Sequence, residues 1–151
     1  MGQESGKNEV SGMIVSTKGR YALRVMIDIA QNREDGYVPL NEIAARQSIS
    51  EKYLEAILKR LVQSGLVTGV RGKNGGYRLT RDPALITAWD VISVTESELS
   101  VVSCLSPGAA ACDRADECTT LPMWREFNAV LQAFFQKYTI QDLAGEKKAA
   151  P

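Results

Sequence analysis

The stretch PLNEIAARQSISEKYLEAILKRLVQSGLV, residues 39–67, decides the fold. It divides into a short helix from Leu40 to Arg46, a tight turn from Gln47 to Ile49, and a longer helix opening at Ser50. Ser50, three residues before Tyr53, is a good N-cap type without the acidic partner of a full capping box. Tyr53, Leu54, Ile57, Leu58 and Leu61 recur at helical spacing as one apolar face, and Gly65 ends the helix. Two short helices joined by a tight turn, the second polar at its start, read as a helix-turn-helix. Taken by itself, the same pattern also fits a plain helical hairpin in a bundle.

The next residues separate these readings. LVTGV (66–70) and YRLTR (77–81) alternate like short strands, and RGKNGG (71–76) supplies Gly and Asn where a hairpin needs positive φ. A hairpin directly after a helix-turn-helix makes a winged helix. The glycine loop lacks the GxxxxGK[ST] order of a phosphate cradle and runs strand to strand, so it is not read as a nucleotide site. Upstream, TKGRYALRVMIDIAQ (17–31) places Tyr21, Ala22, Val25, Met26, Ile29 and Ala30 on one face of an amphipathic helix ending near Asn32.

The rest of the chain is organised around this unit. Residues 1–12 are polar and aperiodic and are expected to be disordered, with Met13 a candidate natural start. Residues 13–82 form the winged domain and 83–99 a connecting helix, capped by Thr87, with Trp89, Ile92 and Val94 in the core. Residues 100–120 form a loop. Pro122 then opens a long helix over 121–143, and 144–151 are a frayed tail. In the long helix Trp124, Phe127, Leu131, Phe134 and Tyr138 recur at 3-4-3-4 spacing, an a/d seam over two heptads. Val130 and Phe135 widen its apolar face beyond what a small winged domain covers, which points to pairing with a second subunit; an ordinary core-facing helix is the alternative. The fold class expected is mostly α with a small β-hairpin wing, a winged helix-turn-helix plus a long C-terminal dimerisation helix.

With 151 residues and 44% apolar content the chain can bury one core without disulfide staples. No run approaches the roughly 18 apolar residues of a membrane span, and the start lacks the apolar stretch of a signal peptide, so the chain reads as cytoplasmic. The net charge of zero hides an asymmetry: residues 1–80 carry 12 Lys+Arg against 8 Asp+Glu, and residues 81–151 carry 6 against 10. A basic half beside an acidic half suggests that one end meets a polyanion. All three cysteines, Cys104, Cys112 and Cys118, lie in the loop, and the chain has no histidine. In a reducing compartment an odd, clustered set favours metal or redox chemistry, with buried structural thiols the plainer alternative.

STKGRYALRVMIDIA, VPLNEIAARQSISEKYLEAILKRLVQSGLV, VRGKNGGYRL and the three-cysteine loop followed by LPMWREF together resemble the IscR-type regulators, winged-helix transcription factors of bacteria. The resemblance covers about Met13 to Ala144. It implies a homodimer gripping palindromic double-stranded DNA, and an iron–sulfur cluster, 2Fe-2S or 4Fe-4S, held by Cys104, Cys112 and Cys118. The chain departs from the family pattern at the sensory end. Leu121 stands where a ligating histidine would be, Arg20 where one branch supplies an aspartate, and the gap from Cys104 to Cys112 is two residues longer than usual.

A recognition helix offers its first turns to base edges. The candidates are Ser50, Lys52, Tyr53, Glu55, Lys59 and Arg60, with the lysines and the arginine suited to phosphates. A carboxylate at Glu55 facing DNA suits the amino group of a cytosine, and the resemblance supports a specificity role there; the alternative is a solvated ion pair with Lys59. On the wing, Arg71 and Lys73 sit on a glycine-rich tip, and Arg71 matches the family's minor-groove arginine. Thiolates suit iron–sulfur clusters or zinc, but zinc normally adds a histidine or a fourth cysteine. The fourth bond is open among Asp113, Asp116, Glu117, a carboxylate of the other subunit, a small thiol or water. The function expected is a non-enzymatic DNA-binding regulator sensing iron–sulfur, redox or nitric oxide status. A thiol/disulfide switch on the same scaffold and an iron–sulfur electron carrier are the competing readings.

Overall fold

A computed structural model describes residues 15–96, 99–100, 102–105, 110 and 112–145. The expectations for residues 1–12, for Met13 and for residues 146–151 lie outside these. Helix α1 (Thr17–Gln31) begins at an N-cap, Ser16, whose hydroxyl accepts from the Gly19 N–H. Helix α2 (Leu40–Gln47) ends at Ser48, which adopts the left-handed conformation at φ 55° and turns the chain sharply. Helix α3 (Glu51–Gln63) starts at Ser50, whose hydroxyl accepts from the Tyr53 N–H, and it stops where Gly65 takes φ 83°. The helix-turn-helix is therefore present with the caps its residue types call for.

Strands β1 (Val67–Val70) and β2 (Gly76–Leu79) pair antiparallel, Val67 opposite Leu79 and Val70 opposite Gly76. The wing is tied back by a bridge between Val38 and Tyr77, each N–H donating to the other's carbonyl at 2.8 and 2.9 Å. That bridge requires glycine at 76: a Cβ there would lie 2.4 Å from the Val38 carbonyl oxygen, and its φ is 148°. The wing is thus fixed to the entry of α2 and so to the helix-turn-helix.

Behind the wing, helix α4 (Ala88–Thr95) is closed by a full capping box between Thr87 and Asp90. Ile92 is fully buried as expected, but the second fully buried position is Val91, while Trp89 and Val94 are half-buried. Helix α4 thus turns Val91 and Ile92 inward and leaves Trp89 and Val94 at the margin. The core unites Val25, Met26 and Ile29 of α1 with Ile43, Leu54, Ile57, Leu58, Leu61 and Ile86, all completely buried.

The long C-terminal helix is shorter than the sequence spacing suggests. Helix α5 (Leu121–Lys137) ends where Tyr138 becomes extended, and a separate helix α6 (Ile140–Ala144) follows. Thr139 and Asp142 form a capping box, a local signal that competes with continuing α5. The chain is turned back by a bridge: Ala88 N–H donates to Tyr138 O and Ile140 N–H to Ile86 O, both at 2.8 Å. This folds Ile140, with 0% exposure, and Ala144 into the winged-domain core against α1. Residue 144, expected to fray, is buried.

Candidate functional site

Two sites emerge, one on the face of α3 and one at the start of α5. On α3 the core residues Leu54, Ile57, Leu58 and Leu61 occupy one side, so Lys52 points away from the body. Glu55 and Lys59 face the wing and line, with Val62, Gln63 and Arg71, a groove of about 770 Å³ between α3 and the hairpin. Pro39, Leu40 and Asn41 at the start of α2 and Tyr77 of β2 close it. Among the described residues Glu55 makes no ion pair with Lys59, so the carboxylate stands exposed and unneutralised in the groove.

The other expected residues fall elsewhere. Tyr53 and Arg60 lie on the opposite flank of α3, where the Tyr53 ring meets Tyr21 of α1 edge-on at 5.8 Å. Ser50 is occupied as a cap, and Lys73 is exposed on the wing outside the groove. Sequence reading missed Asn41 and Gln63 in the groove, which carry no motif of their own. It also missed what fixes the helix-turn-helix to α1. Asp28, 1% exposed, accepts from Arg46 Nε at 3.0 Å and Nη2 at 2.8 Å, and from Gln47 Nε2 at 2.8 Å. The Asp28 carboxylate, first by hydrogen bonding, raises the already high pKa of Arg46. A single acid within the apolar run VMIDIA was the available signal.

At the other site, Cys104, Cys112 and Cys118 line one cavity of about 160 Å³ with Leu105, Ala115, Leu121 and Arg125. All three are free thiols, Cys118 half-buried and the others exposed. Hydrogen bonding to the Thr120 hydroxyl, 3.5 Å away, pulls the Cys118 thiol below its ordinary pKa and favours the thiolate. Asp113, Asp116 and Glu117 are exposed and do not line this cavity. Leu121 is buried beside the thiols. Among the described residues no group of three or more potential ligands is arranged to hold a metal ion. The donor chemistry, three soft thiols lining one small cavity, is the kind that suits a thiophilic metal group.

On α5 the expected seam divides. Trp124, Leu131 and Phe135 are half-buried toward α4, whereas Met123, Phe127, Val130 and Phe134 are 45–57% exposed. Those four recur at intervals of four, three and four residues and make one contiguous apolar stripe. Tyr138 continues it, its ring 5.5 Å from that of Phe134.

A helix-turn-helix with a hairpin wing edging its exposed second helix defines the winged-helix class of DNA-binding transcription regulator. The family model Rrf2, described as "Iron-dependent Transcriptional regulator", matches residues 15–146, and the chain belongs to that family. It is 38% identical over 136 residues to the HTH-type transcriptional regulator IscR of Klebsiella pneumoniae (strain 342), covering 90% of this chain and 82% of the relative. Among solved structures it is similar to T. potens IscR, with TM-score 0.69 and 34% identity over 91% of this chain and 92% of that one. It is also similar to CymR, the global cysteine regulator of B. subtilis, with TM-score 0.67 and 33% identity over 86% and 95%. The chain is a DNA-binding transcriptional regulator of this type. No helix among the described residues is long and apolar enough to cross a membrane.

Proposed function

We propose that the protein is a cytoplasmic homodimer that binds a palindromic operator and senses iron–sulfur, redox or nitric oxide status through an iron–sulfur cluster held by Cys104, Cys112 and Cys118. The observation that carries this reading is that every cysteine of the chain lines one cavity at the first turn of α5. A cluster bound there supplies the reactivity toward oxygen and nitric oxide that a sensor needs. Leu121 offers no fourth bond, so that ligand is one of Asp113, Asp116 and Glu117, a carboxylate of the other subunit, a small thiol or water. Because α5 follows the loop directly and carries the exposed stripe, a change in the loop reaches the subunit pairing.

At the DNA end, Glu55 accepts from a cytosine amino group in the major groove. Lys52, Lys59 and Arg60 neutralise phosphates, Ser50 and Tyr53 sit at the start of the reading helix, and Arg71 with Lys73 reaches the minor groove from the wing. The dimer forms through Phe127 and Phe134, with Trp124, Leu131 and Tyr138 beside them.

A second reading, a thiol/disulfide switch on the same scaffold, is favoured by the free thiols and by the similarity to a cysteine regulator. The two separate in the visible spectrum of anaerobically purified protein, read with iron and sulfide analysis. A broad brown chromophore with stoichiometric iron and sulfide supports the cluster; a colourless protein with reducible disulfides supports the switch.

A further inference from the structure

Arg24 is an exposed arginine with a fixed side chain. Its Nε donates to the Gln47 side-chain oxygen at 3.0 Å, its Nη2 donates to the Gln47 carbonyl, and its guanidinium lies 5.0 Å over the Tyr21 ring. Gln47 is itself anchored, because its amide donates at 2.8 Å to the buried Asp28 carboxylate. Tyr21 in turn packs edge-on against Tyr53, in the first turn of α3. Among the described residues Arg24 has no carboxylate partner, since the ion pairs there belong to Arg46. Fixing a long side chain costs rotamer freedom, and among the described residues no charge pairing offsets it. A pre-positioned, unneutralised guanidinium beside the reading helix fits an anion arriving from outside.

We propose that Arg24, with its Gln47 and Tyr21 supports, is a second phosphate anchor, on the flank of α3 opposite the wing. The wing groove collects Glu55, Lys59 and Arg71 on one side of α3, while Tyr53 lies on the α1 side, joined to Arg24 through the Tyr21 ring. A helix lying in a major groove has sugar-phosphate backbone along both of its flanks, so cations on both sides fix its register. The fork of Arg24 keeps further N–H donors for a phosphate oxygen after its two bonds to Gln47. This inference rests on the DNA-binding reading and extends its contact surface onto α1.

The test is the salt dependence of binding by the full-length protein. The probes are a random-sequence duplex and the tightest duplex that wild type selects from a randomised pool. Arg24→Gln should lower the slope of log affinity against log salt by about 0.9 for each subunit bound, on both duplexes alike. Arg33→Gln removes a charge just past the far end of α1 and should leave the slope unchanged. Gln47→Ala should weaken binding several-fold while keeping the slope, because the charge remains and only its placement is lost. Melting curves confirm that each variant is folded at the assay temperature. An Arg24→Gln slope equal to that of wild type overturns the proposal, as does a Gln47→Ala protein of unchanged affinity. If wild type itself binds neither duplex in a salt-dependent way, the DNA-binding reading fails instead.

Discussion

Arg46 and Asp28 hold unequal positions in one ion pair, and the inequality is testable. Asp28 is 1% exposed, whereas the Arg46 side chain is 38% exposed and also reaches Glu42 at 3.7 Å. Removing the arginine strands a buried carboxylate with only Gln47 for company; removing the carboxylate leaves a cation that water can solvate. Arg46→Ala should therefore cost about 3–5 kcal/mol and Asp28→Asn distinctly less, measured by urea denaturation. At the same scale, Glu55→Ala should relax discrimination at one cytosine by about 1–3 kcal/mol. Equal losses on operator and random DNA would remove Glu55 from base reading. Single residues were legible in the sequence where a motif named them, as with the Ser50 cap and the Gly65 stop. Asp28, Gln47 and Arg24 were not, because their roles come from partners about twenty residues away in the sequence.

Element by element, the winged unit was legible and the C-terminal region only partly so. The hairpin followed from RGKNGG between alternating runs, and the structure adds the bridge to Val38 that no local pattern announces. In the C-terminal region, continuous apolar spacing suggested one helix, but Thr139 and Asp142 start a new one and Ile140 enters the core. Ile140→Ala should accordingly cost about 2–5 kcal/mol of global stability, the range for emptying a buried aliphatic site. Asp142 adds a pH dependence. The backbone N–H of Thr139, and then its hydroxyl, hold the Asp142 carboxyl below the ordinary value. A depressed folded pKa means stability present above the unfolded carboxyl pKa and lost as pH falls through the folded one. The protection factors of the α6 amides, taken against the intrinsic exchange rate at each pH, should thus fall on acidification into that range, and Asp142→Asn should abolish the fall. On α5, replacing Phe127 and Phe134 by glutamate should give monomers in sedimentation, since both lie on the exposed stripe. A double variant that remains dimeric would place the subunit contact elsewhere.

At the scale of the molecule, the thiol cavity and the reading helix lie on different elements, joined by the packing of α4 on both α1 and α5. The sequence made the two ends visible through charge asymmetry and clustered cysteines. It left the fourth ligand open because that bond depends on which residues the loop brings together. Cys104→Ala, Cys112→Ala and Cys118→Ala should each remove iron and sulfide while the winged domain keeps its melting behaviour, since none of the three is in the core. The most direct test of the whole account is operator affinity of anaerobically reconstituted wild-type protein, measured before and after the cluster is removed, with iron and sulfide determined on the same samples. The account predicts full iron and sulfide loading and an affinity that changes when they are lost. Protein that takes up no iron and sulfide, or that binds its operator equally with and without them, would contradict it.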